Sequence, residues 1–183
     1  PQDYYIQVAS IVGTDAGGQI TTGQNNLLLG HDAGITGSPG GNITTSSSNL
    51  VLGDESISNF YCADDSIATS DSRDKADVTD FTDGLAWINS MRPITYKWDK
   101  RSWYINKYDP EVDLNEVVTD GTHKKTSINI GLIAQEVLEI EKANGFDSDN
   151  DTSLLVDLTE DEKQYGLKYS RVVPILVKAV QEL

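Results

Sequence analysis

Residues 20–33 read ITTGQNNLLLGHDA and residues 43–56 read ITTSSSNLVLGDES, with seven identities in fourteen positions at a period of 23 residues. A partial third copy, VGTDAG at 12–17, matches LGHDAG at 29–34. Self-similarity at a fixed period marks repeated supersecondary units, none of which can bury its apolar face alone. In each copy a short apolar run, Leu27 to Leu29 or Leu50 to Leu52, ends at Gly30 or Gly53 amid Gly, Ser, Thr and Asn. Such runs predict short strands and turns. About four or five apolar side chains per repeat do not offset an ordering entropy of roughly 1–2 kcal/mol per residue, so partner chains are expected to complete the core. A disordered Gly/Ser-rich linker is the competing reading. An apolar triplet kept in register with glycine favours the β-fibre.

Outward from the repeats, the composition changes near Ser70. Residues 1–69 contain no Lys or Arg and ten of the 15 glycines, whereas residues 70–183 hold all 14 basic residues and all three tryptophans. Two domains are therefore expected, 1–69 and 70–183. Net charge is −7 in the first (seven acidic residues) and −8 in the second (22 acidic against 14 basic), which disfavours nucleic acid as a partner. No apolar run reaches the ~20 residues of a membrane span. The lone cysteine, Cys62, permits no internal disulfide and is expected to be a small buried apolar side chain. Pro1-Gln2-Asp3 has no signal-peptide character, and the absence of an initiator Met is expected of a fragment of something longer.

In the second domain Val78, Phe81, Leu85, Ile88 and Met91 recur at spacings of three and four, predicting a helix over about 80–90 that ends at Arg92-Pro93. Ile94, Tyr96 and Trp98 alternate with polar residues as in a half-buried strand. Asp120-Gly121 marks a turn, 128–133 a second strand, and Val137, Leu138 and Ile140 the inner face of a short helix ending near Gly145. The last segment carries Val173, Leu176, Val180 and Leu183 at coiled-coil spacing; an amphipathic helix packed on its own domain would read the same.

Conventional chemistry finds little support. His31 and His123 lie on opposite sides of the domain boundary, so neither a His-based metal site nor a Ser-His-Asp triad is expected. Asp147, Asp149 and Asp151 have the spacing that opens a calcium loop, but Thr152 and Leu158 stand where the turn glycine and bidentate Glu belong, so a solvated acidic loop is the better reading. No metal and no cofactor are expected. What remains is SDSRDK at 70–75, on the compositional boundary: a Ser-Lys pair can supply nucleophile and base without histidine, though by itself the spacing equally fits a polar linker.

SDSRDK, followed in order by GLAWINSMRPITYKW (84–98), IGLIAQEV (130–137) and YSRVVPILVKAVQEL (169–183), resembles the endosialidase-type intramolecular chaperone family over essentially all of residues 70–183. Members of that autoproteolytic family end phage tail spikes, tail fibres and neck appendages, and a related module occurs in the myelin regulatory factor. The family's Ser-Asp-x-Arg-x-Lys pattern is filled by Ser70, Asp71, Arg73 and Lys75. The resemblance implies cleavage between Thr69 and Ser70, with Ser70 as nucleophile and Lys75 as general base. Gln135 and Glu136 of the IAQE block supply motif support, and Gln135 is a candidate oxyanion neighbour.

The fold expected is therefore an N-terminal all-β repeat segment of a trimeric fibre, like a β-helix or β-prism, followed by an α+β chaperone domain ending in a coiled-coil-like helix. The function expected is that of a homotrimeric tail-fibre or tailspike end whose chaperone domain folds its own fibre segment and then releases itself, folding in the host cytoplasm and acting in the virion. The competing reading is a non-cleaving structural or receptor-binding tip. A host-surface glycan or receptor is a further expected partner, for which Tyr4, Tyr5, Phe60 and Tyr61 are the only residues that speak, and aromatics of this kind are more often core. The insert 107–125 matches no motif.

On a regular helix residues five apart lie ~140° apart around the axis, so Ser70 and Lys75 require a bent segment or a lysine from a neighbouring chain. A lysine acting as base must also lose its proton, which burial favours and the nearby Asp71, Asp74 and Asp77 oppose. Competence after assembly is the expectation.

Overall fold

A computed structural model describes residues 9–64, 67–109, 112–146 and 153–183. Asp147, Asp149, Asp151, Tyr4 and Tyr5 lie outside the described residues.

The repeats stack on one another. Strands β1 (Ser10–Val12), β2 (Leu27–Leu29) and β3 (Leu50–Leu52) form one parallel sheet, with Ser10 opposite Leu27 and Leu27 opposite Leu50. The two registers, 17 and 23 residues, are the offsets at which the sequence repeats. Alternation in β2 and β3 turns the central residue inward: Leu28 and Val51 are buried and pack with Ala16, Ala33 and Ile43, whereas Ile11 at the centre of β1 is exposed. Leu27, Leu50 and Leu52 face outward and remain exposed. Part of the core expected from partner chains thus comes from the chain's own coils, and an apolar outer row is left over.

Glycine at the strand ends answers to the stacking distance. A Cβ on Gly13 would lie 2.3 Å from the Gly30 carbonyl oxygen, and one on Gly30 would lie 3.0 Å from Cα of Gly53. The turns between strands are tied at the same period: Thr21 Oγ1 donates to the Thr44 carbonyl, and Asn49 Nδ2 donates to Asn26 Oδ1, both at 3.0–3.1 Å.

The second half is built on helices α1 (Gly84–Ser90), α2 (Ala134–Ala143) and α3 (Val172–Gln181), with antiparallel pairs β4–β5 (Ile94–Tyr96 and Asn129–Gly131) and β6–β7 (Val156–Leu158 and Tyr165–Leu167). Its core gathers Trp87, Met91, Val137, Leu138, Leu155 and Ile175, and Phe81 and Phe146 meet the Trp87 ring edge-on at 5.6 and 6.1 Å. The helix predicted from about residue 80 begins four residues later, after Asp83 in a left-handed conformation, and Val78 stays exposed. Trp87, absent from the predicted stripe, is the anchor.

Helix α3 packs on α1 through Ile175 and Ala179, so closely that a Cβ on Gly84 would meet the Ala179 nitrogen at 2.6 Å. The residues predicted as a coiled-coil seam, Val173, Leu176, Val180 and Leu183, lie exposed away from that contact. Cys62, expected to be buried, is exposed, as are Phe60 and Tyr61, because residues 57–64 and 67–83 run over the surface without a strand or α-helix to pack them.

Glu141 is the largest polar surprise. This α2 carboxylate is fully buried and accepts the backbone N–H groups of Leu154 (2.9 Å), Leu155 (2.5 Å) and Val156 (3.3 Å), pinning the entry to β6 onto the helix.

Candidate functional site

Within 70–75 the chain makes one 3-10 turn, Ser72–Asp74. Asp71 caps it, its Oδ1 accepting the Arg73 backbone N–H at 2.9 Å. The Arg73 guanidinium folds back on the same carboxylate, with Nε 3.0 Å from Oδ1 and Nη2 2.6 Å from Oδ2. This fork holds the Asp71 carboxyl below the usual range, first through the Arg73 side chain and then through its backbone amide.

The turn closes the gap that a regular helix would leave. Lys75 leaves it in an extended conformation, and its Nζ donates to Ser70 Oγ at 2.7 Å. Ser70 and Lys75 are therefore brought together within one chain, and Asp71 is engaged by Arg73. Thr69, Ser70 and Lys75 are all exposed. A Ser-Lys pair in this geometry has the reach for proton transfer; a covering surface would add the water exclusion that favours a neutral lysine.

The other residues predicted for the site lie elsewhere. Glu136 pairs with the Arg92 guanidinium, its Oε2 3.2 Å from Nε. Gln135 lines a cleft of about 670 Å³ that also includes Tyr96, Trp98 and Tyr169. Among the described residues no hydrogen bond joins Gln135 or Glu136 to Ser70 or Lys75.

A second polar cluster, which sequence reading missed, joins the two halves. His31, Asp32 and Asp54 present ligand-type atoms within 4.8 Å of one another. Asp54 stands 23 residues after His31, so the stacking itself brings them together. Among them sits the ammonium of Lys107, 2.6 Å from Asp32 Oδ2, 3.5 Å from Asp54 Oδ2 and 3.4 Å from Glu55 Oε1. Tyr108 OH donates to the same Asp32 carboxylate at 2.9 Å. Burial alone would push the Lys107 ammonium down, but Asp32, Glu55 and Asp54 outweigh it and raise it. Burial likewise pushes Asp54 up, while Ser56, His31 and Lys107 pull it down to about 2. The place a metal ion would take is held by an ammonium from the insert 107–125. The only signal available was the 23-residue alignment of His31 with Asp54 and of Asp32 with Glu55.

A third cluster lies at the open end of the last coil. The Glu160 carboxylate accepts the backbone N–H groups of Thr44 (3.1 Å), Thr45 (2.9 Å) and Ser46 (3.1 Å), and the hydroxyls of Thr44 and Thr45. Burial raises this carboxyl, but the donors from Thr45, Ser46 and Thr44 bring it well below the usual range.

Residues 70–146 match the model of the peptidase family described as the chaperone of endosialidase, a match that begins at Ser70 itself. The block at 169–183 lies beyond it. No curated protein matches the chain. Among the described residues no helix is long and apolar enough to cross a membrane.

Proposed function

From the membership of residues 70–146 in the chaperone-of-endosialidase family, we propose that this chain is the end of a phage tail fibre or tailspike whose C-terminal domain directs folding and trimerisation of the repeat segment and then cuts itself free between Thr69 and Ser70. The observation that carries the reading is the 2.7 Å contact of Lys75 Nζ with Ser70 Oγ, at the residue where the family match starts.

In the reaction the Ser70 hydroxyl adds to the Thr69 carbonyl, and the neutral Lys75 amine takes its proton. The Thr69–Ser70 C–N bond breaks as that proton passes to the departing nitrogen, leaving Thr69 as an ester on Ser70 Oγ. One water hydrolyses the ester, giving a Thr69 carboxylate and a Ser70 with free amine and hydroxyl. The sequence of bonds is the same whether the serine attacks its own chain or a neighbour's. Each chain reacts once.

Trimerisation is supported by the unpartnered apolar row Val173, Leu176, Val180 and Leu183 on α3, together with the outward Leu27, Leu50 and Leu52. A covering neighbour would also supply the burial that Lys75 requires. Mass measurement of the expressed chain tests the cut: two fragments meeting at Thr69 and Ser70, lost in Ser70→Ala and in Lys75→Ala, are expected. An assembled wild-type chain that stays intact overturns the protease reading and leaves a non-cleaving trimerisation tip.

A further inference from the structure

Within the repeat segment, one carbonyl serves three donors. The backbone N–H groups of Thr21, Thr22 and Gly23 all point at the Thr44 carbonyl oxygen of the next coil, at 2.8, 3.2 and 3.3 Å. Moved on by one period of 23, those three donors become the N–H groups of Thr44, Thr45 and Ser46. Among the described residues no further coil stacks on them. Their partner is the Glu160 carboxylate, which reaches the last coil across 116 residues of sequence from Thr44.

We propose that Glu160 is a surrogate rung: its carboxylate does for the last coil what the Thr44 carbonyl does for the coil before, so that the C-terminal domain recognises its client by the amide triad of a closed final coil. The inference deepens the chaperone reading and rests on it for the word client; the geometry stands without cleavage.

Three further contacts belong to the same docking. The turn between β6 and β7 carries Glu160, and beside it Asp161 Oδ2 accepts the Asn42 N–H at 3.2 Å. At Gly41, which has φ +70°, a Cβ would lie 2.8 Å from the Thr159 Cβ, so the turn rests directly on the coil backbone. At the other corner Lys107 touches Asp32 from one coil and Asp54 from the next. Only the correct 23-residue register presents those two carboxylates to one ammonium. A slipped or open coil offers neither the amide triad nor the carboxylate pair.

Three unpaired backbone N–H groups at the end of a stack are also the feature by which stacked β-structures add foreign chains. A carboxylate is a suitable stopper, since it accepts several donors at once and bonds more strongly than a neutral carbonyl. It cannot donate, so nothing stacks on it in turn.

The test uses the full chain with Ser70→Ala, which keeps the domain attached whatever the outcome of the cleavage experiment. Amide hydrogen exchange is followed residue by residue, with and without Glu160→Ala. The expected result is exchange about ten- to a hundredfold faster at Thr44, Thr45 and Ser46, with Thr21, Thr22 and Gly23 unchanged. Unchanged protection at 44–46 overturns the proposal. Should Glu160→Ala fail to fold, Glu160→Gln, which keeps one carbonyl acceptor, is read instead, and a smaller acceleration confined to 44–46 is expected. Exchange rising equally in both coils of either folded variant overturns it as well. Failure of wild-type cleavage would sink the protease reading and leave this pattern intact.

Discussion

The Lys75 ammonium reaches the Ser70 hydroxyl at 2.7 Å because Asp71 closes the turn between them. Removing that cap in Asp71→Ala also frees Arg73. An N-cap contributes about 0.5–2 kcal/mol, so the reactive pairing should be lost for part of the time and self-cleavage should slow about two- to thirtyfold without stopping. Asp71→Asn, which retains a cap, should slow it less. The fraction cleaved against time, by gel or mass spectrometry, measures both.

Gly84→Ala should destabilise the C-terminal half by about 1–3 kcal/mol. The added Cβ falls 2.6 Å from the Ala179 nitrogen and 2.8 Å from the Lys178 carbonyl carbon, both backbone, so α3 must shift off α1. Denaturant unfolding with tryptophan fluorescence reports it directly, since Trp87 lies in that core.

Glu141→Ala leaves the amides of Leu154, Leu155 and Val156 without their acceptor and should cost about 3 kcal/mol or more. Glu141→Gln keeps one acceptor oxygen and should cost less. Chemical denaturation of the two variants side by side, each compared with wild type, decides it.

Acid should loosen the docking of the two halves. Against the opposing effect of burial, the Glu160 carboxyl is depressed from its ordinary value of 4.5 by the donors of Thr45, Ser46 and Thr44 across that docking. Groups depressed in this way contribute fully above the ordinary value, and the contribution is lost as pH falls through the depressed one. Docking should therefore hold from neutral pH down to about pH 4.5 and weaken below it. Limited proteolysis of residues 57–83 with an acid-active protease follows the change.

Leu176→Glu with Val180→Glu should leave the fold intact, because both side chains are exposed, and should abolish the proposed trimer. Analytical ultracentrifugation reads the oligomer, and circular dichroism checks the fold.

The stacking register was legible because each strand pairs at the offset where the sequence repeats, and helices α1 and α2 were legible from their apolar periodicity. Ser70 and Lys75 were legible as a pair only through the family motif. Their contact depends on a capped turn, which helix spacing does not describe. For α3 the periodicity located the helix but not the side that meets its own domain: Ile175 and Ala179 are buried because Gly84 lets the helices approach closely, a fact held in a different segment. Lys107 and Glu160 were invisible, since their partners lie 52 to 116 residues away and no local pattern announces them.

The period of 23 residues has a consequence for how long such a protein can be. Glu160 touches the final coil alone and Lys107 the final two, so coils further upstream are beyond the reach of both. Inserting one more whole repeat before residue 20 lengthens the stack by one strand spacing, about 4.8 Å, and leaves the terminus unchanged. Length is thereby set by counting repeats in the gene, and a single terminator serves stalks of any count.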